Sequence, residues 1–207
     1  MLPRSTLLAA LLLVAASEIA ATADEPQFLG RTREQWIGQL ESTDRRQRTH
    51  AAWAMSEFAV EQTNPEDAML WLNELLILGE SPGLSVRYWG VIGLGRLAGK
   101  LDAAHPAHVK AVEALQHALA DASPGVRIAA AEWLGLVGGS RKALPVLVEA
   151  MSHEQETVRV QAVSALEHWG EAARPALSTL RSATSDPSEY VKRISTRTLE
   201  RLDGKSP

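Results

Sequence analysis

Histidine is the residue type in this chain best suited to bind a metal, and there are six. His105 and His108 stand three apart, a spacing that lets two imidazoles share one helix face. Two ligands do not close a site, and no residue at a fixed offset supplies a third. His153-Glu154 sets a nitrogen beside a carboxylate, once only. There is no cysteine, which removes thiolate nucleophiles, zinc-thiolate sites and disulfides. No Gly-x-Ser-x-Gly or His-Glu-x-x-His occurs. Aspartates and glutamates are scattered without an evident acid–base pair. Gly90, Gly93 and Gly95 form a glycine-rich run, but it follows no strand and so does not read as a phosphate loop. The residues point to no catalytic group, no metal and no cofactor.

What does recur is a cation. Arg48, Arg87, Arg127, Arg159 and Lys192 follow one another at steps of 39, 40, 32 and 33 residues. Around them, Gln47 before Arg48 excepted, apolar or small residues fall one before and three, seven and ten after, as in Val126, Ala130, Leu134 and Val137. At about 100° per residue these positions make one helical face. The residue at plus three is always small: Ala51, Gly90, Ala130, Ala162 or Ser195. A small side chain there lets a partner helix approach closely. Asp121 and Asp186 stand at matching offsets, in the loops before Arg127 and Lys192. A loop aspartate and a helix-start arginine in stacked units can pair repeatedly and satisfy loop backbone groups, so the anchors read as structural.

The elements that carry this pattern are helices in pairs. Thr32 with Gln35 three later makes a capping box for a first helix bearing Trp36, Ile37 and Leu40. A second runs from about Arg45 to Val60. Asn64-Pro65 opens the next, with Met69, Leu72, Leu75 and Leu76 as its stripe and Gly79 as its end. Leu84–Ala98 is its partner. Pro106 starts a helix with Val109, Val112, Leu115 and Leu119 inward, followed by one capped by Ser123 with Pro124 first. Ser140 caps another, which Pro145 should bend; Pro175 plays the same part further on. Asp186-Pro187-Ser188-Glu189 opens the last, with Asp186 as cap. No stretch alternates with period two long enough to be a strand. The expectation is an all-α solenoid of ten helices in five antiparallel pairs, at about 32–60, 64–99, 105–139, 140–170 and 171–204. No pair can bury its apolar face alone, so neighbours stack.

Residues 1–23 read as a signal peptide: Arg4, an apolar run from Leu7 to Ala16, and Ala21-Thr22-Ala23 for cleavage. The run is shorter than the roughly 20 residues that span a bilayer. A polar leader, 24–31, follows. A secreted or periplasmic protein with no membrane segment after cleavage is expected. The net charge of −4 is not that of a nucleic-acid binder.

The phrases SVRYWGVIGLG, SPGVRIAAAEWLG and VRVQAVSALEHWGEAARPAL resemble HEAT repeats of the short bacterial type also found in phycobilin lyases. The resemblance implies a right-handed superhelical array with the second helices lining a concave surface. From Ser85 to Arg193 the chain also resembles the HEAT-like extension of some bacterial secreted sulfatases. The Cys/Ser-x-Pro-x-Arg setting of sulfatase catalysis is absent, since Ser185-Asp186-Pro187-Ser188-Glu189 ends in Glu. The resemblance therefore implies a detached accessory module, a non-catalytic scaffold binding another protein, with a sulfatase or related enzyme as the partner. A HEAT-like lyase, a metal-dependent hydroxylase and a module with a structural role only are the alternatives. The hydroxylase needs several His-Glu pairs in symmetric repeats, and His153-Glu154 is one.

The binding surface follows from the phase of the repeat. If the core lies at minus one, plus three, plus seven and plus ten, then plus one and plus five point away from it. Those positions hold Thr49 and Trp53, Tyr88 and Ile92, Ile128 and Glu132, Val160 and Ser164, and Arg193 and Arg197. Half are large apolar or aromatic residues. A contiguous exposed apolar stripe of this kind marks an interaction site. Trp53, Tyr88, Ile92 and Ile128 are expected to form a groove for a protein segment, with Arg193 and Arg197 meeting its acidic end. Of the other tryptophans, Trp36, Trp71, Trp133 and Trp169 are expected in the core, and Trp89 at its margin.

Overall fold

A computed structural model describes residues 26–62 and 66–204. The segment read as a signal peptide and the helix start read at Asn64-Pro65 lie outside the described residues.

The leader departs from expectation. Gln27–Phe28 (β1) and Arg31–Thr32 (β2) pair antiparallel, Gln27 opposite Thr32 and Phe28 opposite Arg31. Leu29 and Gly30 between them have φ of 50° and 73°. Positive φ at both central residues is the two-residue hairpin turn whose twist matches its strands. Leucine rarely adopts it, and here its side chain stays 63% exposed. Strands of two residues are too short to leave an alternating signal in sequence. The hairpin folds back on the first helix pair. The Phe28 ring meets Trp53 edge-on at 5.7 Å and Phe58 at 6.5 Å, and Trp36 Nε1 donates to the Phe28 carbonyl at 3.0 Å.

Ten α-helices follow among the described residues: α1 (Arg33–Leu40), α2 (Arg45–Gln62), α3 (Ala68–Gly79), α4 (Leu84–Lys100), α5 (Pro106–Ala118), α6 (Pro124–Leu134), α7 (Ser140–Ala150), α8 (Glu156–Trp169), α9 (Leu177–Ala183) and α10 (Glu189–Leu202). They form five pairs, with the second helices α2, α4, α6, α8 and α10 packed in series. The fold is the expected all-α solenoid. Thr32 and Gln35 make both bonds of the capping box. Two helix starts differ from the sequence reading. Ser140 is itself helical, because Gly135–Gly139 turns tightly with Gly138 at φ 95°. Ser188, not Asp186, caps α10 by accepting from the Val191 amide. Ser123 stands at the N-cap of α6 with Pro124 first, as expected, though its side chain makes no cap bond. Pro175 lies in a 3-10 segment, Gly170–Ala176, that leads into a short α9.

The small positions show why the pairs close so tightly. A Cβ on Gly90 would lie 2.3 Å from the Gly79 nitrogen and 2.6 Å from the Leu78 carbonyl carbon, so α4 touches the backbone end of α3. A second glycine row, eight after the anchor, accepts indoles. Trp133 of the third unit covers Gly95 of the second, and Trp169 of the fourth covers Gly135 of the third. Trp169 also donates from Nε1 to the Glu132 carbonyl at 2.9 Å. Trp36, Trp71 and Trp169 are buried as expected, whereas Trp133 is only half-buried, spread across the unit boundary.

Each arginine anchor clamps its own loop. Nη1 of Arg48, Arg87, Arg127 and Arg159 donates to the carbonyls six and five residues before it: Ser42 and Thr43, Ser81 and Pro82, Asp121 and Ala122, His153 and Glu154. Arg87 also grips Asp121 of the next unit through two bonds, 2.7 and 3.1 Å, and Arg159 grips Asp186 through two, 2.9 and 3.0 Å. The planar guanidinium thus ties two loops together. Asp121 and Asp186 each accept in addition from the amide two residues on, Ser123 and Ser188. Lys192 cannot reproduce the fork and pairs instead with Glu189.

Candidate functional site

The sequence places the binding stripe on the second helices, and the structure divides it. Trp53, Tyr88 and Ile92 on α2 and α4 are half-buried, each with part of its side chain open to solvent, as are Thr49, Glu132, Val160 and Ser164. Ile128 is not part of this surface: it is buried, 3% exposed. α6 is packed by α4 on one side and α8 on the other, and Ile128 is covered there, while Val160 at the same offset on α8 stays half-buried. The half-open aromatic residues of the stripe, Trp53 and Tyr88, both fall in the first two units.

There it has a defined shape. A cavity of about 560 Å³ is lined by Trp53, Trp89 and His50, together with Arg45, Arg46, Thr49 and Ser85. His50 stacks on Trp53 with centroids 5.4 Å apart and planes 11° from parallel. Trp36 meets His50 edge-on from behind at 5.2 Å, so the Trp53 ring is fixed from several sides by His50 and the leader's Phe28. On α4, Tyr88 meets Trp89 edge-on at 5.6 Å. Burial, and then the nearby Glu132 carboxylate, raise the Tyr88 phenol above its ordinary value. Trp89 and His50 were not among the stripe residues read from sequence. Both sit at plus two, on the flank of the face, and the shared offset is the signal that could have found them.

Polar residues take over along the later units. Glu132 pairs with His168. Arg197 makes two bonds to Glu167, whose carboxyl is held below its usual range by that bond first, against the opposing effect of burial. Arg201 donates to the Glu167 carbonyl. Arg197 is thus tied within the fold, while Arg193 lies over the exposed Tyr190 ring at 5.5 Å. The two arginines expected to meet an acidic segment do not act as a pair.

Three of the histidines serve local structure. His105 Nδ1 accepts from the Ala107 amide at the start of α5, His108 Nδ1 lies 2.9 Å from the Ala98 carbonyl, and His153 Nδ1 accepts from the Gln155 amide. Among the described residues, no group of three or more His, Cys, Asp or Glu is placed to hold a metal, and no helix is long and apolar enough to cross a membrane.

Comparison with known proteins agrees with this architecture. Residues 74–167 match the family model for HEAT repeats. No curated protein matches the chain. The complex of CpcE and CpcF of phycocyanin lyase from Nostoc sp. PCC7120 is similar with a TM-score of 0.56 at 22% identity, over 91% of this chain and 70% of that one. A designed armadillo repeat protein in complex with the peptide (KR)4 is similar at 0.52 and 20%, over 81% and 80%. An engineered protein is similar at 0.52 and 22%, over 84% and 80%. Identities this low speak for the fold alone. The chain has the all-α solenoid fold seen in HEAT and armadillo repeat proteins, and its residues 74–167 match HEAT repeats.

Proposed function

We propose that the protein is a non-catalytic scaffold, secreted or periplasmic, that binds another protein along its second helices. The observation that carries this reading is the row Trp53, Tyr88, Trp89 and Ile92. These large side chains stay partly open to solvent although the same helices bury their neighbours completely. A stripe of this kind on consecutive repeats suits an extended partner segment. Two similar folds support the mode of use: the designed armadillo protein holds a peptide, and the lyase chains assemble with each other. The resemblance of Ser85–Arg193 to the sulfatase extension supports a sulfatase or related secreted enzyme as the partner.

The test is capture from a periplasmic extract by the immobilised protein. Wild type is expected to retain a partner that the Tyr88→Ala, Ile92→Ala double variant loses, with helical circular dichroism and melting cooperativity unchanged. Capture that survives both substitutions contradicts the reading.

A further inference from the structure

Arg45 and Arg46 begin α2, where the Asp44 carboxylate accepts from the Arg46 amide at 2.8 Å. The positive end of the helix dipole disfavours cations in this turn. α1, α8 and α10 carry Glu34, Glu156 and Glu189 in their first turns, whereas at α2 the acid, Asp44, stands just before the helix. Among the described residues neither guanidinium has a side-chain partner, in contrast to Arg33, Arg87, Arg96 and Arg159, which pair with carboxylates. Both line the cavity that holds His50, Trp53 and Trp89. Two cations without a carboxylate partner among the described residues, beside partly open indoles, offer a surface of defined chemistry.

We propose that this cavity receives an acidic peptide segment, with a carboxylate side chain against Arg45 and Arg46 and a large apolar or aromatic side chain against Trp53 and Trp89. The inference rests on the scaffold reading and specifies the partner's chemistry. Guanidinium groups bind carboxylates through paired, charge-assisted bonds, and indoles give wide contact at low entropic cost. The cavity volume of about 560 Å³ admits a few side chains. Its wall continues through Trp89 into Tyr88, and Ile92 lies one turn further along the same helix, which suits a chain rather than a compact ligand. The whole protein is net negative, so attraction for an acidic partner is local to this cavity.

Three fluorescein-labelled peptides of equal length test the proposal by anisotropy with the full protein. One carries acidic residues around a central Phe, the second replaces the acids with Lys, and the third replaces Phe with Ala. The first is expected to bind at least about tenfold more tightly than either other. The Arg45→Glu, Arg46→Glu variant should lose about tenfold for it and turn toward the Lys peptide. These positions are exposed, and acids there favour the helix start, so folding is retained and circular dichroism verifies it. Equal binding of all three peptides, binding unchanged in the charge-reversed variant, or displacement by free sulfate with no role for the Phe would overturn the proposal. If partner capture is lost in the Tyr88/Ile92 variant but survives charge reversal, the scaffold reading stands and this inference fails.

Discussion

At the residue scale, the anchoring arginines explain why the array holds its spacing. One guanidinium satisfies two carbonyls of its own loop, and in two units it also grips the next loop through an aspartate. Asp121 and Asp186 are pushed up by burial. The bonds from Arg87 or Arg159 and from the following amide, with the neighbouring positive charge, outweigh that and hold both carboxyls below their ordinary 3.8. Their folded values lie below their unfolded ones, so their contribution is complete above about pH 4 and is lost as pH falls through the depressed values. Denaturant midpoints followed from pH 7 downward should fall below about pH 4. The Asp121→Asn, Asp186→Asn variant should start lower and decline less steeply over that limb. An acid limb identical to wild type would show that the carboxylates do not stabilise the stack. The anchors and the aspartates were legible in the spacing alone. Which anchors gain a carboxylate was less so: the aspartate offset holds Ser42, Ser81, Asp121, His153 and Asp186 in turn, so the ion pair skips units.

At the element scale, approach between helices is set where a side chain is missing. The small residue at plus three was visible in sequence, and Gly90 against the α3 backbone is its sharpest case. Gly90→Ala places a methyl against rigid main chain and should cost about 1–3 kcal/mol by overpacking. Gly99→Ala, with nothing within 4 Å of the new carbon, should be neutral or stabilise by roughly 0.5–1 kcal/mol, as glycine is a poor helix residue. Urea unfolding of the two variants checks the contrast, and equal effects would mean that α3 and α4 are not in backbone contact. The glycine row that receives Trp133 and Trp169 was not legible, because the indoles come from the following unit and at unequal offsets. Neither was the hairpin, whose turn puts a leucine at positive φ. Its role is clear only from Phe28 and Trp36, which fasten it to the first pair.

At the scale of the whole molecule, the repeats are unequal in surface. The first two units expose aromatic and apolar side chains beside unpaired arginines. The third buries Ile128 and is tied to the fourth by Glu132–His168, and the fourth is tied to the fifth by Glu167–Arg197. Phase alone predicted one stripe through all five units. It could not show that Ile128 is covered while Val160 at the same offset is not, or that Arg197 is spent on its neighbour. The central claim is that a partner lies along the second helices near α2 and α4. The most direct measurement is photo-crosslinking, with benzoylphenylalanine placed singly at Trp89 and Ile92 on α4 and at the exposed Glu113 and Glu149 on α5 and α7. The account predicts partner adducts from positions 89 and 92 and none from 113 or 149. Adducts arising mainly from the first-helix positions would contradict it.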